Sequence, residues 1–478
     1  MNHQSQTTIA AISTAMSNAG IGIVRMSGPD AFMIADEIYQ GKKEKKLFEQ
    51  KSHTIHYGYI VENGKTVDEV LVMLMKGPHS YTGEDTVEIN CHGGVYILKR
   101  ILDLLIAHGA RPAEPGEFTK KAFLNGRLDL SQAEAVGELI VSQNEYALQS
   151  SISQLKGNVK KKINDIRDKI IYHTAFIESA LDDPEHISIE GYAKELKIVI
   201  KECMEEIQVL LSTCDDGRII KEGIQTVILG KPNAGKSSLL NMLLGEERAI
   251  VTDIAGTTRD TLEEYINLSG ISLKIMDTAG IRNTDDKIEK IGVNKAKSYA
   301  DKADLIIYVI DASIALDEND CEILKLIYGK PSIILLNKSD LDMIVTKKEI
   351  KKLYYASNLA NINLNNKSNN NVNIPIIEVS ARKQTGMDNL EKCIKDMFFE
   401  GKLSFNDEIY ITSARHKAAL RDSYAALERV INSIEAEMPE DFFSIDLLEA
   451  YESLGKITGE TIGEDLVNEI FSRFCMGK

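Results

Sequence analysis

The chain has 478 residues, 43% hydrophobic and 27% charged, with a formal net charge of −16. That length accommodates about three domains of roughly 150 residues each, and so acidic a balance excludes a globally basic nucleic-acid coat. No apolar run approaches the roughly 20 residues of a bilayer span, and six cysteines in so long a chain indicate a reducing compartment rather than a disulfide framework.

The N-terminus lacks the basic, apolar pattern of a signal peptide and the arginine richness of a transit peptide, so a cytoplasmic protein with no membrane contact is expected. Any RNA contact must use a local basic patch, and Lys42 to Lys46 is one candidate run, read as a solvated loop.

Residues 1–118 mix short strands and turns. Val70 to Met75 and Asp85 to Asn90 read as strands, and Gly93 to Ala107 as a helix with Tyr96, Ile97, Ile101, Leu104 and Leu105 at helical spacing. This is an α+β domain. Residues 119–215 turn helical, with Ser131 and Glu134 spaced as a capping box and a long amphipathic pattern over Ser151 to Ser179. Residues 216–400 alternate strands and helices, with strands at Thr226 to Leu229, Ile271 to Met276, Leu305 to Ile310 and Ser332 to Leu336. That alternation implies a parallel, doubly wound α/β sheet. Residues 401–478 return to helix, at Thr412 to Glu437 and Ser444 to Phe474. The simplest architecture is a discontinuous helical domain with the α/β domain inserted. Asn358 to Asn373, rich in asparagine, reads as a flexible surface loop.

The inserted domain carries the strongest chemical signal. Gly230-Lys-Pro-Asn233-Ala234-Gly235-Lys236-Ser237-Ser238 follows a strand and opens a helix. Loop amides and the helix N-terminus there wrap phosphates, Lys236 reaches the β- and γ-phosphates, and Ser237 is a magnesium ligand. Asp277-Thr278-Ala279-Gly280 follows the next strand; Asp277 would hold Mg2+ through water and the Gly280 amide would meet the γ-phosphate. Asn337-Lys338-Ser339-Asp340 ends a later strand. The Asp340 carboxylate can accept from guanine N1 and the exocyclic amine; adenine lacks both donors, which selects GTP. Ser380-Ala381-Arg382 matches the loop that backs the base. Gly256-Thr257-Thr258-Arg259-Asp260 lies where the first switch belongs, with Thr258 as a second Mg2+ ligand, and Thr252, Asp253, Ile254 and Ala255 just before it join the GTP-binding set. Ile281 stands where Ras-like proteins keep a water-orienting glutamine, so hydrolysis needs another group.

The last four residues, Cys475-Met-Gly-Lys478, end the chain on a thiol and a lysine. A nucleotide switch needs neither. Arg473 and Lys478 flank the thiol, and nearby cations lower a thiol pKa, which makes Cys475 a candidate nucleophile or base.

Beyond the GTPase motifs, six segments carry a resemblance. They are Gly22-Ile-Val-Arg25-Met-Ser-Gly28, Tyr81-Thr-Gly-Glu-Asp85, His92-Gly-Gly94, Arg111 to Phe118, Ala122 to Leu130 and Phe474 to Lys478. With them the sequence resembles the tRNA modification GTPase family MnmE (TrmE) end to end. The resemblance implies a folate-binding, dimerising N-terminal domain, a discontinuous helical domain and an inserted Ras-like G domain. It implies a homodimer that works on tRNA with an FAD-dependent partner, MnmG (GidA). Together they place an aminomethyl or carboxymethylaminomethyl group on C5 of the wobble uridine, from a tetrahydrofolate one-carbon unit such as 5-formyltetrahydrofolate. By the same resemblance Arg25, Glu88, Arg127 and Lys478 contact folate. Asn233, Thr252, Ile254 and Thr257 coordinate a potassium ion, and Glu289 orients the attacking water. The competing class is a regulatory or ribosome-assembly GTPase switch with no chemistry of its own. Cys475 and the folate-like motifs set the two apart.

Overall fold

The computed structural model describes residues 7–41, 46–188, 191–246, 264–268, 270–276, 297–358, 374–399, 409–461, 463–472, 474 and 477. They form two compact units: Met1–Ile140 with Ile152–Gln208 and Ala418–Lys478, and Val141–Ser151 with Val209–Lys417. The architecture is multidomain, α+β with helices in the first unit and α/β in the second.

The first unit is built on a seven-stranded sheet of order β3-β4-β5-β6-β2-β1-β7. Its strands are β1 (Ile9–Ile12), β2 (Ala19–Ser27), β3 (Tyr39–Gly41), β4 (Thr54–Glu62), β5 (Lys65–Met75), β6 (Thr86–Gly93) and β7 (Arg111–Pro112). All pairs are antiparallel except β1 with β7. Alternation decides the faces. Val70, Val72 and Leu74 of β5 and Val87 and Ile89 of β6 are buried against the helices Ala31–Ile38 and Val95–Ala107. The residues between them face the other way, so Arg25 of β2 stands beside Glu88 of β6, and Glu88 beside Met73 of β5.

The helical part of this unit joins segments far apart in sequence. Helix Asn158–Asp182 packs along helix Asp441–Thr458. Arg167, only 4% exposed, crosses between them: its Nη1 donates to Glu460 Oε2 at 2.6 Å, and its guanidinium lies 4.1 Å from the centre of the Tyr451 ring. Near the surface Lys197 Nζ meets Glu435 Oε1 at 2.8 Å. The buried arginine fixes which residues of the two helices meet, because any other register strands its charge.

The second unit carries a six-stranded sheet of order β13-β12-β11-β8-β10-β9. Its strands are β8 (Ile224–Leu229), β9 (Glu264–Leu268), β10 (Ile271–Ile275), β11 (Leu305–Asp311), β12 (Ser332–Asn337) and β13 (Ile376–Glu378). Every pair is parallel except β9 with β10. Ile224 and Ile228 of β8 enter one core, Val227 and Leu229 the other, so both faces are covered. That is why β11 and β12 are unbroken apolar runs. Asn144, 8% exposed, donates from Nδ2 to Ile220 O and Ser272 Oγ.

Several local expectations change. β9 is an antiparallel edge on the otherwise parallel sheet, since a short connection can only turn the chain back on itself. The strand expected from Asp85 runs from Thr86 to Gly93, so Gly93 ends it and the helix starts at Val95. The helix after Leu128 is capped by Asp129, whose Oδ1 accepts from the Gln132 amide at 2.9 Å and from Ser131 Oγ at 2.6 Å. A carboxylate is the stronger acceptor for an orphan amide, so Ser131 becomes a donor to the cap. The pattern over Ser151 to Ser179 breaks into helices Glu145–Leu155 and Asn158–Asp182. The stretch from Ser444 to Phe474 breaks into Asp441–Thr458 and Glu464–Ser472. Asn358 is fully buried, with Nδ2 bonded to Leu324 O and Tyr354 O, while 359–373 lie outside the described residues. So do Lys42 to Glu44 and Lys45 of the basic run. Among the described residues no helix is long and apolar enough to cross a membrane.

Gly116 seats the C-terminal helix. Its φ is +70°, and a Cβ there would stand 2.5 Å from the Phe471 carbonyl oxygen. Gly116→Ala is expected to destabilise the protein by about 2–4 kcal/mol, from the left-handed conformation and the clash together. Denaturant unfolding measures it, and an unchanged midpoint would show that the Phe471 turn yields freely.

Candidate functional site

Two separate clusters of polar side chains emerge, one in each unit. In the second unit, the loop Gly230–Gly235 links β8 to the helix Lys236–Glu246. Asn233 takes φ +63°, and Gly235 takes φ +95° with the Asn337 Nδ2 atom 2.1 Å from where a Cβ would sit. Only glycine lets Asn337 approach so closely. Lys236 Nζ donates to the carbonyls of Gly230 at 2.8 Å and Lys231 at 2.7 Å. Burial lowers the pKa of this ammonium, so charge is held where an anion would relieve its desolvation. Ser237 follows within the first turn of the helix, where amides lack intrahelical partners.

The ends of β12 and β13 converge on this loop. Asn337 Nδ2 donates to Ala234 O at 2.9 Å, and its Oδ1 accepts from the Ala381 amide at 3.2 Å. Asp340 Oδ1 accepts from Ser380 Oγ at 2.6 Å, and Ser380 Oγ also accepts from the Lys383 amide. The hydroxyl bond, helped by Lys383 and Arg382, holds the Asp340 carboxyl below the usual carboxylate range. Lys338, at φ +62°, donates from Nζ to Asp311 Oδ2 at 2.5 Å. Burial pulls the Asp311 pKa up, but Lys338 and Ser313 outweigh it and keep the carboxylate charged. So Asn233, Ala234, Gly235, Lys236, Ser237 and Ser238 of the loop share one edge of the sheet with Asn337, Lys338, Asp340, Ser380, Ala381 and Arg382.

In the first unit the cross-strand pair Arg25–Glu88 forms the second cluster. Arg25 Nε lies 2.8 Å and Nη2 2.7 Å from Glu88 Oε1, which leaves Oε2 for a further donor. Arg25 sits over two rings, 5.6 Å from the centre of Tyr81 and 5.7 Å from that of Phe118. Arg127 lies 5.0 Å over Tyr81, whose hydroxyl pairs with Thr119 Oγ1 at 2.9 Å. Burial raises the Tyr81 pKa, so the phenol stays neutral between the two cations. The chain's end closes the cluster: the Gly477 carbonyl accepts from Ser13 Oγ at 3.0 Å and from Arg25 Nη1 at 3.4 Å. Three of the residues expected to share one ligand, Arg25, Glu88 and Arg127, thus lie together, beside the residue that precedes Lys478.

Other expected residues lie outside the described residues. They are Thr252, Asp253, Ile254, Ala255, Gly256, Thr257, Thr258, Asp277, Thr278, Ala279, Gly280, Ile281, Glu289, Cys475 and Lys478. Among the described residues there is no group of three or more His, Cys, Asp or Glu poised to hold a metal. The sequence reading missed Tyr81, Phe118, Asp311 and Gly477. Tyr81 and Phe118 sat inside quoted motifs, but an aromatic between basic residues far apart in sequence gives no periodic signal.

Comparisons with known proteins agree over most of the chain. The family model "GTP-binding protein TrmE N-terminus" matches residues 8–127, and "MnmE helical domain" matches residues 130–475. The "tRNA modification GTPase MnmE" of Lachnoclostridium phytofermentans is 57% identical over 98% of this chain and 99% of its own length. Proteins of the same name from Acetivibrio thermocellus and Clostridioides difficile are 48% and 46% identical, each over 98% of this chain and 99% of its own length. A solved FeoB G-domain from Methanococcus jannaschii, 19% identical, aligns with 37% of this chain and 97% of its own at a TM-score of 0.25, too low to bear on the fold.

The Asp340–Ser380 pair sets a test of base readout. Asp340→Asn inverts the donor and acceptor pattern, so GTP affinity is expected to fall on the order of a hundredfold while xanthosine triphosphate gains. A direct titration checks both ligands, and an unchanged GTP affinity would remove Asp340 from the base site.

Proposed function

The chain belongs to the MnmE family of tRNA modification GTPases, and from that premise we propose that it hydrolyses GTP to drive modification of the tRNA wobble uridine. One observation carries the reading. The chain carries both the Gly230 loop cluster with Asp340 and a second polar cluster, Arg25–Glu88, against the Gly477 carbonyl. A regulatory GTPase has no use for the second. The proposed division is an N-terminal folate-binding and dimerisation domain (1–118), a helical domain in two parts (119–215 and 401–478) and an inserted G domain (216–400).

In the G domain, Asn233 to Ser238 bind the phosphates, with Thr252 to Thr258 and Asp277 to Gly280 completing the site. Asn337, Lys338, Asp340, Ser380, Ala381 and Arg382 bind the base. Lys236 exchanges its two carbonyl partners for phosphate oxygens. Ser237 and Thr258 are the Mg2+ ligands, and Asn233, Thr252, Ile254 and Thr257 the K+ ligands. The two cations, when bound, supply positive charge where an arginine finger otherwise would. Glu289 then orients water in place of the glutamine that Ile281 replaces.

The Arg25 pocket fits a 5-formyltetrahydrofolate-like ligand by its donor set. Glu88 Oε2 offers an acceptor to the pterin amide edge, while Arg25, Arg127 and Lys478 suit its carboxylates. Cys475 lies two residues before the Gly477 carbonyl that Arg25 holds, which favours a role for its thiol near the one-carbon unit. The uncovered sheet face favours a homodimer: Ile55 is 59% and Leu71 47% exposed, and Tyr57 stands beside Leu71. An FAD-dependent MnmG partner and tRNA complete the proposed complex, in the cytoplasm.

Two measurements test this reading. GTP turnover is expected to rise on the order of tenfold or more in K+ over Na+ at equal ionic strength; equal rates would sink the potassium site. Cys475→Ser is expected to abolish wobble-uridine modification in a strain lacking the native gene, with GTP hydrolysis spared. Normal modified-uridine levels there would leave the thiol as a packing residue.

A further inference from the structure

The second residue of the phosphate loop is tied into the core by a chain of charged groups that the nucleotide reading does not use. Lys231 Nζ lies 2.7 Å from Asp320 Oδ2 and 2.9 Å from Asp317 Oδ2. The Asp320 side chain is 1% exposed, and every contact it makes is satisfied inside the protein. Its Oδ1 accepts from the Tyr308 hydroxyl at 2.5 Å, and its Oδ2 also accepts from the Asp317 amide at 2.8 Å. Tyr308 is fully buried in β11, next to β8 from which the loop departs. Asp317 in turn caps the helix Glu318–Leu326 through a reciprocal capping box with Asp320. Burial opposes the charge on Lys231, but the two carboxylates outweigh it and raise its pKa.

The same residue touches the phosphate-binding lysine through its backbone. The Lys231 carbonyl accepts from Lys236 Nζ at 2.7 Å and from the Ala234 amide at 3.3 Å. The side chain of Lys231 is therefore anchored outward while its carbonyl shapes the turn that holds Lys236. We propose that Tyr308, Asp320, Asp317 and Lys231 form an anchor that fixes the first turn of the loop, making Lys231 a positioning residue for nucleotide binding. A buried carboxylate bonded on both oxygens cannot drift, and Lys231 passes that rigidity to the loop. The loop then pays less ordering entropy when phosphate arrives.

The inference rests on reading this loop as the nucleotide site, so GDP binding to the unaltered full chain is measured first, by calorimetric titration with Mg2+. No binding there overturns the nucleotide reading itself. Given binding, Lys231→Met is expected to weaken GDP roughly tenfold, and Lys231→Arg, which keeps the ion pairs, to match the parent within about 1.5-fold. Asp317→Asn removes a half-exposed carboxylate and is expected to weaken GDP about threefold, while the double variant Lys231→Met with Asp317→Asn is no weaker than Lys231→Met alone. In steady-state turnover the KM for GTP should rise with kcat within about twofold. GDP affinity unchanged in Lys231→Met overturns the anchor, as does a loss confined to kcat. If Lys231→Met does not fold, Asp317→Asn decides: the roughly threefold loss of GDP affinity supports the anchor, and unchanged affinity overturns it.

Discussion

The carbonyl of Gly477, bonded to Ser13 and to Arg25, ties the Arg25 cluster to a segment far along the chain. It closes 452 residues of chain between Arg25 and Gly477. Loop closure of that length costs little more than a closure half as long, because the entropy grows only with the logarithm of length. The chain can therefore complete this cluster with a segment distant in sequence, provided that the segment is seated firmly. Seating comes from packing. Phe471 lies in a small core with Leu130, Ala133 and Val467, and Phe474 packs against it. Phe474 also stands 3.5 Å from the Cβ position of Gly137. The terminal residues are thus carried to the sheet by aromatic burial and then held by hydrogen bonds.

Arg25 shows how one charge organises its surroundings. A guanidinium 17% exposed needs a carboxylate, which Glu88 supplies across the strand pair, and flat apolar faces, which Tyr81 and Phe118 supply. Its Nη1 donates to the Gly477 carbonyl at 3.4 Å. Arg167 applies the same logic in the helices, with Glu460 as carboxylate and Tyr451 as ring. In both places an arginine fixes the register of segments that meet only in the folded state.

The nucleotide cluster is held in another way. Asn337 bonds the loop through Ala234 and the β13 end through Ala381, so one amide side chain sets the spacing between the Gly230 loop and the segment after β13. Lys338 is pinned to Asp311 and Asp340 to Ser380. Lys236, Asn337, Lys338 and Asp340 are thus each oriented by a neighbour, which would lower the ordering cost of binding.

Much of this was legible in the sequence. The apolar runs Leu305 to Ile310 and Ser332 to Leu336 declared buried parallel strands, and the motif Gly230 to Ser237 declared a glycine turn between a strand and a helix, because both are written in consecutive residues whose spacing matches a local geometry. The cap at Asp129 and the break at Gly157 were less legible, since a better acceptor or a single turn overrides a longer pattern. What the sequence alone could not determine is which distant residues meet. Arg25 with Gly477, Arg167 with Glu460 and Lys231 with Asp320 are pairs without periodicity, chosen by burial of charge and by shape once the cores have formed. Local order follows from neighbours in the chain, whereas the pocket at Arg25 and the anchor of the loop follow from the need to leave no buried charge unpaired, a condition that only the folded tertiary structure can meet.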